Sequence, residues 1–205
     1  MISRADCLKH LSARLGDALV ICSVAGQTTD MATIKDRDGN LYEVFLSGTT
    51  PLALGLALAL PKRKVIAVDS DGGLLMGLTV LPVIAQQNPS NLIIIVFDNE
   101  SYDCLNKLPT FTAAKTDLAA MAKGAGIQNV ATVRKLSEFK KALDEAFNSK
   151  GANFILVKTL PGRLPGSGLA IDAARNKLRF LTYIEKTEQI QIIKPSKKTM
   201  VIIKP

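Results

Sequence analysis

The chain has 205 residues, of which 47% are hydrophobic and 21% charged, a balance that suits one sizeable globular domain and excludes a disordered polymer. The formal net charge is +8, but the excess is scattered and lies partly around KPSKK and Lys204, without aromatic interleaving. Such a pattern predicts a bias toward anionic ligands, not a nucleic-acid surface.

The longest apolar stretches, such as PLALGLALAL, stop short of the ~20 residues a membrane span needs. No basic leader precedes an apolar segment, so a cytoplasmic protein with no membrane partner is expected. The cysteines Cys7, Cys22 and Cys104 are odd in number and lack metal-ligand spacing, so they read as reduced thiols and not as a disulfide framework.

In chain order, residues 3–15 (SRADCLKHLSARL) place apolar residues at helical spacing after a serine and predict a helix. ALVICSVAG predicts a short strand closed by a glycine turn, RDGN a turn, and LYEVFL a second strand. Pro51 suits the first turn of a helix over PLALGLALAL, apolar almost all round and therefore expected to be buried on most sides. VIAVD (65–69) lacks polar alternation, as expected of a parallel strand covered on both faces. DGG then opens a helix to about Gln87, and NLIIIVFD (91–98) is another covered strand.

After the loop NESYDCLNKLPTFT come a helix from Asp117 to Lys123 and a short strand near IQNVATV. A helix capped by Ser137 and ending near Ser149 follows, then the covered strand ANFILVKTL. PGRLPGSG reads as a loop, DAARNKLRFLTYIEK as a helix, and QIQIIKPSKKTMVIIKP alternates like a hairpin. Alternating strands and helices predict an α/β fold with a parallel, doubly wound sheet. The organisation expected is one domain over residues 1–184 with a C-terminal tail over 185–205.

In such sheets ligands bind at the carboxyl ends of strands. Two covered strands end in polar punctuation, VIAVD-SDGG and NLIIIVFD-NESYD. Together they cluster hard oxygen donors suited to Mg²⁺ or Ca²⁺, and Mg²⁺ usually keeps a phosphate among its partners. Gly72 and Gly73 are bare backbone at a helix start, open to close approach by that phosphate.

Ser70-Asp71-Gly72 and Asp98-Asn99, with the spacer LLMGLTVLPVIAQQNPSNLIIIVF between them, resemble the thiamine diphosphate-binding signature that begins Gly-Asp-Gly and ends Asn-Asn. That resemblance implies a thiamine diphosphate-binding fold. It also implies Mg²⁺ held by Asp71, the Asn99 side chain and the backbone carbonyl of Ser101. LSGTTPLALGLALAL is similar to the family's segment beneath the bent cofactor, making Leu46 the apolar wedge and giving the backbone of Val44 and Leu46 to the aminopyrimidine. AGQTTDMA is similar to the loop that touches the diphosphate, placing Gly26, Gln27 and Thr28 there.

NESYDCLNKLPTFTAAKTDLAAMAKGAG resembles phosphonopyruvate and sulfopyruvate decarboxylases, and the likeness runs from about residue 18 to 160. Such enzymes need a second domain whose glutamate activates the cofactor, and this chain shows no second α/β unit. The resemblance therefore implies a separate pyrimidine-domain partner subunit, a hetero-oligomer, and a small 2-oxoacid substrate with an anionic tail.

The signature is not kept throughout. Ser70 replaces a glycine, Val44 and Ser47 stand where glycines are common, and Asp98 replaces an asparagine. The extra charge at Asp98 either tightens a metal or raises a neighbour's pKa by repulsion. Taken singly, Asp71-Gly72 is an ordinary helix cap and Asp98-Asn99 an ordinary strand-end turn; their joint spacing favours a site. Gln27 and Thr28 also fit plain turn residues, Leu46 a core leucine and Cys104 a bystander thiol. The reading from these residues is the diphosphate- and Mg²⁺-binding subunit of a 2-oxoacid decarboxylase. Its alternatives are an acetolactate synthase-like carboligase subunit and a non-catalytic module that kept the fold. A nicotinamide site is disfavoured, because no G-x-G-x-x-G follows a strand.

Overall fold

The computed structural model describes residues 2–103, 105–165 and 171–193. The first half contains α1 (Arg4–Ser12), β1 (Leu19–Ser23), α2 (Gly26–Lys35), β2 (Asn40–Val44), α3 (Thr49–Ala59), β3 (Val65–Ser70), α4 (Asp71–Leu75) and α5 (Val80–Gln87). The second half contains β4 (Leu92–Asp98), the two-residue strands β5 (Ser101–Tyr102) and β6 (Leu108–Pro109), and a 3₁₀ turn at Phe111–Ala113. It continues through α6 (Leu118–Gly124), β7 (Asn129–Val133), α7 (Leu136–Asn148), β8 (Asn153–Lys158) and α8 (Ala173–Glu188).

Six strands form one parallel sheet in the order β2-β1-β3-β4-β8-β7. Its centre is built from β-branched runs: every residue of β4 is buried, as are the first five of β3 and of β8. Such strands hold both faces under cover, and each fully buried Ile, Val or Phe contributes roughly 1.5–3 kcal/mol. One apolar layer joins the sheet to α3, α5, α6 and α8, through Leu54, Ile84, Leu118 and Phe180 among others. The opposite layer joins it to α1, α2 and α7, through Leu8, Met31 and Phe139. The doubly wound α/β architecture read from the sequence is therefore the one observed.

Register decides where the chemistry falls. Ser70 pairs with Phe97 and Asp98 with Lys158, so the carboxyl ends of β3, β4 and β8 finish level with one another.

Several elements differ from expectation. AGQTTDMA is not a loop: Gly26–Lys35 forms α2, which lacks a clear apolar stripe and so gave no helical pattern. The single helix expected after DGG is two, α4 and α5, separated by residues 76–79. In α3 the buried line is Thr49, Ala53, Leu54 and Ala57, while Leu52 (39%) and Leu58 (46%) face outward. The small alanines let this helix pack close to the sheet and turn its leucines to the surface. Lys135, not Ser137, precedes the first turn of α7; the Glu138 carboxylate accepts from the Arg134 and Lys135 amides there. The expected C-terminal hairpin falls mostly on residues 194–205, outside the described residues, as does Cys104.

Candidate cofactor and metal site

The level strand ends place two carboxylates within hydrogen-bond reach of the loop that carries Thr110 and Thr112. Asp71, the first residue of α4, is fully buried, and Asp98 closes β4 at 1% exposure. Two threonines flanking the start of the 3₁₀ turn reach down to them: Thr110 donates to Asp71 Oδ2 at 2.7 Å and Thr112 to Asp98 Oδ1 at 2.8 Å. The threonine hydroxyls lie 2.8 Å apart, and Thr112 is also 3.1 Å from Asp71 Oδ2. Thr112 thus bridges the two strand ends.

The other oxygen of Asp71, Oδ1, is buried with no hydrogen-bond partner among the described residues. Burial pushes this carboxyl up to about 6; the Thr110 hydrogen bond works against that push, and the nearby Asp98 adds to it. A buried carboxylate oxygen left unpaired is costly, and a cation is the partner that would reverse the cost.

Asp98 spends its charge elsewhere. Its Oδ2 pairs with Lys158 Nζ at 2.7 Å, and Lys158 also reaches Glu100 Oε1 at 2.9 Å. Burial lowers the lysine's pKa, but the bonds to Asp98 and Glu100 outweigh it and hold the ammonium above its ordinary range. Of the two alternatives read from the sequence, the structure bears on the second: Asp98 adds to the upward push on Asp71, and Lys158 pairs with Asp98.

Above this layer is a small cavity whose walls include Gly26, Gln27, Leu46, Gly72, Asn99 and Ser101. Asn99 Oδ1 accepts from the Ser101 amide at 3.3 Å and its Nδ2 donates to Asp103 Oδ2 at 2.9 Å. Glu100 sits between them with φ +60°; Ala25 and Ser47, on loops at this edge of the sheet, have φ of +67° and +74°, and Glu43, where the β1–β2 register shifts, has φ +56°. Non-glycine residues in this region cost about 1–2 kcal/mol each and gather where a site constrains the backbone. A side chain on Gly72 would collide with the Tyr102 ring, and one on Gly73 with Asp69 and Ser70. Ser70 Oγ caps α4 by accepting from the Gly73 amide at 3.0 Å.

Six of the ten residues singled out from the sequence thus meet around one cavity. Asp71 stands between two lining residues, Ser70 and Gly72, its open oxygen buried. Three do not line it. Thr28 uses its hydroxyl to join β1 to β2, donating to Ser23 O and accepting from the Glu43 amide, each at 2.9 Å. Val44 is buried and its carbonyl accepts from the Val24 amide at 3.0 Å. Gly73 turns into the α4 cap.

Sequence reasoning missed Arg4, Thr110, Thr112 and Lys158. The strand-end rule that found Asp71 and Asp98, applied to ANFILVKTL, singles out Lys158 as well. Nothing local in the sequence marks the other three.

With this geometry in view, the comparisons are specific. Residues 46–157 match the thiamine pyrophosphate enzyme, C-terminal TPP binding domain model. The chain belongs to the thiamine pyrophosphate enzyme family. A sulfopyruvate decarboxylase subunit beta from Methanocaldococcus jannaschii is 33% identical over 186 residues, spanning 90% of this chain and 98% of that one. A phosphonopyruvate decarboxylase from Streptomyces hygroscopicus is 33% identical over 81% of this chain, which spans 41% of that protein's length. The solved thiamine diphosphate-dependent 4-hydroxybenzoylformate decarboxylase of Rhodococcus jostii RHA1 superposes on 78% of this chain and 33% of its own, with a TM-score of 0.68 and 23% identity, and so shares the fold.

Thiamine pyrophosphate enzymes hold their cofactor with a divalent cation, and the residues of this chain fit that group. Among the described residues no three His, Cys, Asp or Glu side chains converge to form a metal cage. The donors at hand are one unsatisfied carboxylate oxygen, an amide oxygen and backbone carbonyls. Such a set leaves much of a coordination shell to water and phosphate, as Mg²⁺ prefers.

Proposed function

We infer that this chain is the diphosphate- and Mg²⁺-binding subunit of a thiamine diphosphate-dependent decarboxylase of small 2-oxoacids. The anionic tail expected on the substrate, as in 3-sulfopyruvate or 3-phosphonopyruvate, follows the names of its relatives, and the +8 net charge is compatible with it. The observation that carries the reading is the buried Oδ1 of Asp71, without a partner among the described residues, on the residue between Ser70 and Gly72, which line a cavity together with Asn99 and Ser101.

In this reading Asp71, the Asn99 side chain and the Ser101 carbonyl hold Mg²⁺, and Gly26, Gln27 and Gly72 face the diphosphate. Leu46 supports the cofactor from below. When bound, thiamine diphosphate supplies an electron sink for the pair left behind as CO₂ departs. Thr110 and Thr112 orient Asp71 by occupying its Oδ2, so that Oδ1 is the oxygen presented. The Lys158 ammonium keeps Asp98 from adding a second uncompensated charge beside the metal.

The activating glutamate belongs to a separate pyrimidine-domain subunit, in line with relatives named as subunits beta. The buried, unpaired thiols of Cys7 and Cys22 suit a cytoplasmic setting.

The test is CO₂ release from sulfopyruvate and phosphonopyruvate by the chain with thiamine diphosphate and Mg²⁺, with and without a pyrimidine-domain subunit. Release only in the complete mixture is expected. Tight cofactor binding with no release from any 2-oxoacid would favour a non-catalytic module, and acyloin products a carboligase.

A further inference from the structure

Arg4 is the one cation among the described residues that line the cavity, and it is only 4% exposed. It projects from the first turn of α1 and is braced from two sides. Its Nε donates to Asp30 Oδ2 of α2 at 2.9 Å, and its Nη2 to the Gly162 carbonyl at 2.6 Å. Asp30 divides its carboxylate, giving Oδ1 to the Leu164 amide at 3.0 Å, so it meets the guanidinium through a single bond and not a fork. An arginine has five N–H donors, and two are engaged here. Its Nη1 has no acceptor among the described residues.

Gly26 explains where the group lies. A side chain on Gly26 would collide with Nη1, Nη2 and Cζ of Arg4, so the guanidinium rests on the bare first residue of α2. That stacking sets a pre-oriented planar cation, its entropy already lost to the brace, among the same cavity-lining residues as Asn99 and Ser101.

We propose that Arg4 is a ligand of the diphosphate, donating to a terminal phosphoryl oxygen through its open Nη1, beside the Mg²⁺ that Asp71 would hold. The proposal rests on the reading of the cavity as a thiamine diphosphate site. Its charge logic is local: Asp103 lines the cavity and Asp71 lies between its lining residues Ser70 and Gly72, both opposing an anion, and a divalent ion plus Arg4 would overturn that repulsion. Asp30 acts as the positioning residue that aims the guanidinium.

The experiment compares the full chain with its Arg4→Met and Asp30→Asn variants, titrating each calorimetrically with thiamine diphosphate in the presence of Mg²⁺, and recording ligand-free melting by circular dichroism. Both variants break the same buried pair and lower the melting temperature. Affinity separates them: a 10- to 100-fold loss is expected for Arg4→Met, the range of one charge-assisted hydrogen bond, against a few-fold loss for Asp30→Asn. Equal losses in the two variants, or no loss in Arg4→Met, would make the pair a purely structural buckle and overturn the proposal. Where Arg4→Met fails to fold, Arg4→Lys keeps a charge facing Asp30 but loses the fork, and about a tenfold loss is expected; unchanged affinity would overturn the proposal equally. A parent chain that does not bind thiamine diphosphate at all refutes the cofactor-site reading itself, an outcome distinct from a variant that binds as well as its parent.

Discussion

Arg63 and Arg4 are both buried, at 7% and 4% exposure, but the molecule treats them oppositely. Arg63 precedes β3 and engages every arm: Nε to the Asp17 carbonyl, Nη1 to Thr187 and Glu188, Nη2 to the Tyr183 hydroxyl, with its guanidinium carbon 5.3 Å from the Tyr183 ring centroid. These bonds fasten the last turns of α8 to the amino edge of the sheet. At the carboxyl edge, Arg4 keeps an arm open, Asp71 keeps an oxygen open, and four non-glycine residues hold left-handed backbone. Arg63 has a partner for each of its nitrogens, whereas in the proposed site Arg4 Nη1 and Asp71 Oδ1 have none among the described residues.

That contrast is broken or sharpened by exchanging the two kinds of site. The largest effect is expected at Asp71: Asp71→Asn should weaken Mg²⁺-dependent thiamine diphosphate binding by about 100-fold or more, read by calorimetry. Its metal-free fold should not suffer. Burial raises the Asp71 pKa to about 6, above its unfolded value, so the carboxyl favours folding at low pH and loses that contribution as pH rises through 6. The asparagine variant should therefore gain melting temperature relative to the parent between pH 5 and 8. A stability loss in metal-free Asp71→Asn at pH 8 would contradict the contrast.

Arg63→Met is the reverse case, with about 3 kcal/mol of stability lost and a melting temperature lower by roughly 6–12 °C, while the folded chain binds cofactor as before. Next in size, Thr112→Val removes the hydroxyl shared by the two strand ends, and cofactor affinity should fall about tenfold with roughly 1 kcal/mol of stability. The smallest effect belongs to Asp36 on the surface, where hydrogen bonds from Arg179 hold the carboxyl below its ordinary range. Its contribution is present at neutral pH and lost as pH falls through the depressed value. After solvent screening it amounts to about 0.5 kcal/mol, so urea unfolding of Asp36→Asn from pH 6 to 3 should show only a slightly flatter acid limb.

What could be read from the sequence was what is encoded locally. The runs VIAV, LIIIVF and FILV have no reading except covered strands, and their polar ends marked Asp71, Asp98 and Asn99. Helix α2 escaped because GQTTDMATIK earns its place through tertiary contacts: Thr28 against β1 and β2, Asp30 against Arg4, Met31 in the core. Arg4 and Thr110 escaped because each finds its partner far along the chain, Asp30 for one and Asp71 for the other, so no periodicity records the pairing. The outward leucines of α3 were hidden for another reason: a segment apolar all round does not say which side a sheet will take.

The Tyr102 ring covers the Cα of Gly72, the backbone that the signature leaves bare. Only a residue without a Cβ leaves room there for the ring and the first turn of α4 together, so Gly72→Ala would displace Tyr102 from the cavity wall that both residues line.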